Sequence, residues 1–164
     1  GITTKTVQRY LRYFELSYQS ITLPAWSKNP NKRLSKMPKI HFMDQGIIQA
    51  VLAKRGGLPG YEFESIVVSE IYKQMRTVGE ERPMYHLRTH DGLEVDLIIE
   101  FPEYYYAFEI KMTEKVSDND ARHLKKLDKL LNKPLKKAYI LSNDPETQNI
   151  SDNITAIHAA MFLG

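Results

Sequence analysis

The chain has 164 residues, 42% apolar and 26% charged, a balance that belongs to a globular domain and excludes a disordered or membrane-embedded chain. It has no cysteine, so disulfides, thiolate metal sites and thiol nucleophiles are excluded. Against 20 Asp and Glu stand 23 Lys and Arg, and the resulting +3 permits a nucleic-acid partner without requiring one. No apolar run approaches the roughly 18 residues of a membrane span, and no signal-peptide pattern is present, so a cytoplasmic location with no membrane partner is expected. The first residue is Gly1 and not Met, which raises the expectation of a piece cut from a longer protein.

Thr3 and Thr4 can cap a helix over residues 4–16, in which Val7, Tyr10, Leu11 and Phe14 recur at i, i+3, i+4 and i+7. Lys5, Arg9 and Arg12 lie off that stripe. A short strand over residues 18–23 follows. Helix then strand reads either as the back half of a winged helix-turn-helix or as an amphipathic helix docked on the domain with a solvated basic face. The docked helix is favoured, because the preceding helices are missing. Residues 27–38 form a loop of breakers and cations, including Lys28, Lys32, Arg33 and Lys36, read as a solvated connector or as a phosphate-contacting loop. A strand over 39–43, a turn at Asp44-Gln45-Gly46 and a short helix through Ile47, Ile48, Val51 and Leu52 come next. The run Arg55-Gly56-Gly57-Leu58-Pro59-Gly60 then sets a boundary.

A helix over residues 61–76 follows. At about 100 degrees per residue, Glu64 falls in the middle of a stripe made by Val67, Val68, Ile71 and Met75, while Glu62, Ser69 and Lys73 fall on the solvent side. A carboxylate centred on an apolar stripe breaks a local rule, as functional residues tend to do. Strands over 84–88 and 93–101 are joined through Asp91-Gly92, a strong hairpin signal. Pro102-Glu103 makes the next turn, and a strand returns to Lys111. If that turn is a two-residue loop, Asp96 lies opposite Glu109 with Cβ atoms about 5 Å apart. Glu109 and Lys111, two apart, share a face. Burying such groups costs several kcal/mol or so each unless they are paired or bind a metal, and two carboxylates so placed suit one hard divalent cation.

The run Tyr104-Tyr105-Tyr106 reads as strand packing in preference to base stacking. A helix from Ser117 carries the capping-box pattern Ser117-x-x-Asp120 and the stripe Ala121, Leu124, Leu127 and Leu131. Its outer side bears Arg122, Lys125, Lys126, Lys129 and Lys133, which suits either a solvated face or contact with a DNA backbone. A strand over 137–141, a polar loop through Asn149, a strand over 154–158 and a helix over 159–163 complete the chain. The fold class is α/β, with a mixed central sheet flanked by helices.

Phosphate-loop, dinucleotide and nucleophile-elbow motifs are absent. His41, His86, His90, His123 and His158 lack the HExxH spacing of a zinc site, and His86 and His90, flanking a turn, are expected at the surface. Glu64, Asp96, Glu109 and Lys111 remain.

A helix Glu, the strand Asp of EVD and the Glu-x-Lys of EIK on the adjacent strand resemble the PD-(D/E)XK, or restriction endonuclease-like, superfamily, with Val95 standing where that pattern has Pro. A second resemblance covers nearly the whole chain. The runs TVQRYLRYFE, LPAWSKNPNKRLSKMPKIHFMDQGI, GYEFESIVVSEIYKQ, LEVDLIIE and AFEIK resemble the C-terminal region of prokaryotic AAA-type ATPases, where a P-loop domain and a winged helix precede a nuclease-like domain. The resemblance implies a partial winged-helix remnant over 1–26, a basic connector over 27–60 and a restriction endonuclease-like domain over 61–164. It implies an N-terminal P-loop ATPase domain of the same polypeptide as partner, so ATPase activity is not expected of this chain.

The PD-(D/E)XK resemblance implies a site in which Asp96, Glu109, the carbonyl of Ile110 and, directly or through water, Glu64 hold Mg2+ or Mn2+. Lys111 would orient a water or stabilise the transition state. DNA is the implied partner, with Lys32, Arg33, Arg122, Lys125, Lys126 and Lys129 as its contacts. Two functions stay open: a Mg2+-dependent DNA phosphodiester hydrolase, and a non-catalytic module that docks DNA or protein and regulates the ATPase.

Overall fold

The computed structural model describes residues 1–29, 37–53 and 56–164. Helix α1 (Thr4–Leu16) is capped by Thr3, whose hydroxyl accepts from the Thr6 N–H at 3.2 Å. It does not dock as expected. None of its residues is buried, and Val7, Tyr10 and Phe14 are exposed. The helix touches the body through its last turn, where Gln19 N–H bonds to Phe14 O at 2.8 Å and the Phe14 ring meets Phe42 edge-on.

Strands β1 (Ser20–Leu23) and β2 (Lys39–Phe42) pair antiparallel, with Leu23 opposite Lys39. The expected turn at Asp44 is a helix cap. Its carboxylate accepts from the N–H groups of Gly46 and Ile47 and starts α2 (Gln45–Val51). Residues Pro24 to Trp26 then run beside the edge of the main sheet, exchanging backbone hydrogen bonds with His86. His86 is therefore buried under this segment and not at the surface as expected.

Helix α3 (Gly60–Thr77) is followed by β3 (Met84–Arg88), β4 (Glu94–Glu100) and β5 (Tyr105–Ile110), an antiparallel meander. Strands β6 (Leu135–Ser142) and β8 (Ile154–His158) extend it in parallel, and β7 (Gln148–Ser151) closes the edge antiparallel to β8. The result is a six-stranded mixed sheet in the order β3-β4-β5-β6-β8-β7. Strand β7 lies where a polar loop was expected. Its alternation of half-buried and exposed positions gives little hydrophobic signal, and edge pairing with β8 and the packing of Ile150 hold it.

Each face of the sheet has its own core. Val67, Val68 and Ile71 of α3 pack on Leu97, Ile99 and Phe108 with Ala159 of the terminal helix α5 (Ala159–Leu163). On the other face Ala121, Leu124, Leu127 and Leu131 cover Val95, Ile98, Ala107 and Ile140. That apolar stripe is as read from sequence, but the continuous helix is not. It is a 3-10 turn (Asp118–Ala121) followed by one α-turn, α4 (Leu124–Leu127). Glu62 and Ser69 of α3, expected in solvent, are buried. The opposite side of α3 is covered by the N-terminal residues, where Gln49 Nε2 donates to Glu62 Oε2 at 3.0 Å.

Candidate functional site

Strand β4 sets the geometry of the site through one extra residue. On β3, Tyr85 and Leu87 are two apart, but their partners Ile98 and Val95 are three apart, so β4 bulges at Asp96 and Leu97 opposite His86. The bulge resets the alternation of the strand. Val95 joins one core and Leu97 the other, so Asp96 stands between them, only 7% exposed. Between β4 and β5, pairing runs from Glu100 opposite Tyr105 to Leu97 opposite Phe108, the register of a two-residue turn. One step further, the Asp96 carboxylate itself accepts the Ile110 N–H, at 2.9 Å to Oδ2. A side chain has taken the next rung of the ladder.

This end of β4 and β5 opens into a cleft of about 710 Å³ whose walls include Glu64, Glu94, Asp96, Glu109, Lys111 and Arg122. The structure thus brings the four residues singled out from sequence to one place, and Ile110 lines it with them. Glu109 is 3% exposed. Its Oε1 accepts from Lys111 Nζ at 2.6 Å, while Oε2 is buried with no hydrogen-bond partner. Burial, joined by the Asp96 charge, pushes its carboxyl up to about 7 against the opposing pull of Lys111. Burial and Asp96 likewise raise Glu64, against the opposing charge of Lys39. The Lys111 ammonium is raised in spite of burial, because Glu109 beside it favours the charged form.

The residue that sequence reading missed is Lys39. Its ammonium lies 2.9 Å from Glu64 Oε1, 3.1 Å from Asp96 Oδ1 and 3.3 Å from Glu94 Oε1. Burial works against that charge, but Asp96 and Glu64 overcome it and hold the ammonium protonated. Two positions along β2, His41 is buried, with Nδ1 3.0 Å from Ser65 Oγ and Nε2 3.9 Å from Glu64 Oε1. Burial, aided by the Lys39 charge, lowers it to about 4, so it stands neutral beside the cluster near pH 7. A period-2 reading would have placed Lys39 and His41 on one strand face. Nothing local says that this face meets Glu64.

Of the basic residues singled out, Arg122 lines the cleft, and Lys125, Lys126 and Lys129 are exposed, with Lys125 paired to Asp118. His123 fixes Arg122: its Nδ1–H donates to Glu94 O at 2.8 Å and its Nε2 accepts from Arg122 Nε at 3.2 Å. Lys32 and Arg33 lie outside the described residues.

The donor chemistry of Asp96, Glu109 and Glu64 suits a hard divalent cation, and the bare Glu109 oxygen is the acceptor such an ion would satisfy. Among the described residues, however, no three His, Asp or Glu side chains are arranged to hold a metal. The Lys39 ammonium is paired with both Glu64 and Asp96, and Lys111 with Glu109. No helix among the described residues is long and apolar enough to cross a membrane.

Residues 59–162 match the family model described as Domain of unknown function (DUF4143). The chain belongs to that family. DUF4143 is commonly found at the C-terminus of AAA-type ATPases. Residues 1–57 match a second model, Domain of unknown function (DUF8612), so Lys39 and the carboxylates it meets fall in different matches. Among curated proteins the chain is similar to Uncharacterized protein Rv2008c of Mycobacterium tuberculosis and Uncharacterized protein Mb2031c of Mycobacterium bovis. Each is 25% identical over 169 residues, covering 99% of this chain and 36% of the relative. The chain thus spans about a third of the length of the curated relatives it matches. No solved structure matches.

Proposed function

We propose that this DUF4143 chain is a divalent-metal-dependent phosphodiester hydrolase module acting on DNA, restriction endonuclease-like in its core and carried by an AAA-type ATPase with a winged helix ahead of it. The observation that carries the reading is the Glu109 carboxylate, buried with one oxygen bare, in a cleft shared with Asp96, Glu64 and Lys111. Asp96, Glu109, the Ile110 carbonyl and Glu64 would hold Mg2+ or Mn2+, which when bound supplies a more acidic water and charge neutralisation at a phosphate. The chain's own part is positional. Asp96 fixes the end of β5 through the Ile110 N–H, which sets where Glu109 and Ile110 present their oxygens. Lys111, 39% exposed in its side chain, holds an ammonium beside Glu109 at the cleft, placed to orient a water or meet a phosphate oxygen. Arg122, fixed by His123, and the exposed Lys125, Lys126 and Lys129 offer the backbone of DNA a positive approach.

A second reading has its own observation. Lys39 already gives Glu64, Glu94 and Asp96 a cation, as in a non-catalytic module that docks DNA or protein and regulates the ATPase. Cleavage of supercoiled plasmid and branched duplex with Mg2+ or Mn2+ separates the two. The hydrolase reading expects nicking that falls at least about a hundredfold in Lys111→Ala, the scale of losing one electrostatic group at the transition state. Absence of nicking, with DNA still bound at low salt, leaves the docking module standing.

A further inference from the structure

We propose that Lys39 is a built-in competitor for the divalent cation: its ammonium holds the cation position of the cleft, and metal binding requires it to leave. The inference rests on the metal-dependent reading above and concerns how that site is regulated.

The geometry around Lys39 is that of a bound ion and not of a surface lysine. An ammonium has three donors, and three carboxylate oxygens from Glu64, Asp96 and Glu94 lie 2.9 to 3.3 Å from it. All three acceptors come from other elements, Glu64 from α3 and Glu94 and Asp96 from β4. Strand β2 itself, Lys39-Ile40-His41-Phe42, carries no acid and pairs only with β1 among the described residues. The ammonium is thus a guest in a cleft built by residues after 59. Lys111 contrasts with it, paired to Glu109 of its own strand end and left at the cleft surface.

Lys39 fills the place without neutralising it. One ammonium meets three carboxylates, and the Glu109 oxygen stays bare. A dication would match the donors better, yet it cannot share them with an ammonium a few ångströms away, because like charges repel strongly in a half-dry cleft. The two cations exclude each other. A tethered ammonium competes at high effective concentration, so it lowers the apparent metal affinity without blocking it. Coupling of this kind is reciprocal. Whatever draws the Lys39 side chain away loads the cleft, and metal in the cleft releases that side chain.

Calorimetric titration of Mn2+ into the chelator-stripped chain and into Lys39→Met tests this. The expected result is about tenfold tighter Mn2+ binding by Lys39→Met, within the usual range of coupling between two sites, and Mn2+ should restore the variant's lowered melting temperature. Equal or weaker binding by the variant, with the unaltered chain still binding, overturns the competition and leaves the metal reading intact. If neither binds at millimolar Mn2+, the metal reading falls and the competition with it. A second measurement does not depend on the variant folding: reductive methylation of lysines in the unaltered chain, read residue by residue by mass spectrometry. Lys39 should become several-fold more reactive with Mn2+ while Lys115 does not change. Unchanged Lys39 reactivity with Mn2+ bound overturns the proposal.

Discussion

Strands β4 and β5 end very differently at their two ends. At the turn, Phe101, Tyr104 and Tyr106 form an aromatic cluster, and the cations near it sit on ring faces, Arg82 5.1 Å from the Phe101 centroid and Lys136 4.3 Å from that of Tyr104. The half-buried Glu100 there has its own partner, Lys133 Nζ at 2.7 Å, so its carboxylate is matched. At the cleft, the same two strands carry Glu94, Asp96 and Glu109, and with Glu64 these four carboxylates meet two ammonium groups, Lys39 and Lys111. The turn is arranged to hold the strands together, and the cleft is arranged in spite of holding them together. Excess buried charge that stability does not explain is what separates a site from a scaffold.

That contrast can be broken most directly at Asp96. Asp96→Ala removes a partner of Lys39 and leaves the Ile110 N–H buried without its acceptor. The expected loss is about 3 kcal/mol in urea unfolding, the scale of breaking a buried charged hydrogen-bond network. A loss under about 1 kcal/mol would mean that the cluster is no more coupled than a surface pair.

Glu109→Gln sharpens the comparison through pH. The Glu109 carboxyl stands near 7 when folded and near 4.5 when unfolded, so the folded state binds more protons between those values and its stability falls as pH rises through them. His41 acts the other way. Held near 4, it lets the unfolded state bind more protons up to about 6.5, so its contribution rises with pH. The two oppose each other in the wild-type chain. In chelator, Glu109→Gln should become more stable than wild type by about 2 kcal/mol above pH 7 and gain nothing near pH 4.5. A stability difference that does not vary with pH would remove the claim that Glu109 is held ionised at a cost.

The smallest effect belongs to the turn. Arg82→Ala loses a ring contact and an ion pair with Glu80 at a partly exposed site and should cost roughly 0.5–1 kcal/mol, with no change in Mn2+ binding at the other end of the strands. A change in metal affinity there would show that the two ends are coupled.

Residues near one another in sequence made much of this legible. The register of the β4–β5 hairpin followed from Pro102-Glu103, the stripe of α3 from its period, and Asp96, Glu109 and Lys111 from charges set inside apolar strands. What stayed hidden was long-range. Lys39 meets Asp96 across 57 residues, and beside Pro38 and a run of cations it reads as one more solvated lysine. Glu62 was misplaced for the same reason: a helical wheel gives faces, but not which of them a second layer will cover. The stripe of α1 failed in the opposite sense, being amphipathic in pattern yet uncovered among the described residues.

The extra residue in β4 also bears on how the sequence can vary. The bulge is what lets Val95 reach one core and Leu97 the other with a residue standing between them. A substitution at this position would unseat Lys39 and leave both cores in place. A one-codon deletion of Asp96 would make the pairing with β3 regular, with Val95 still opposite Leu87 and Ile98 still opposite Tyr85, and would remove the same carboxylate. The sheet would survive either change, so the extra residue is there for the cleft and not for the cores.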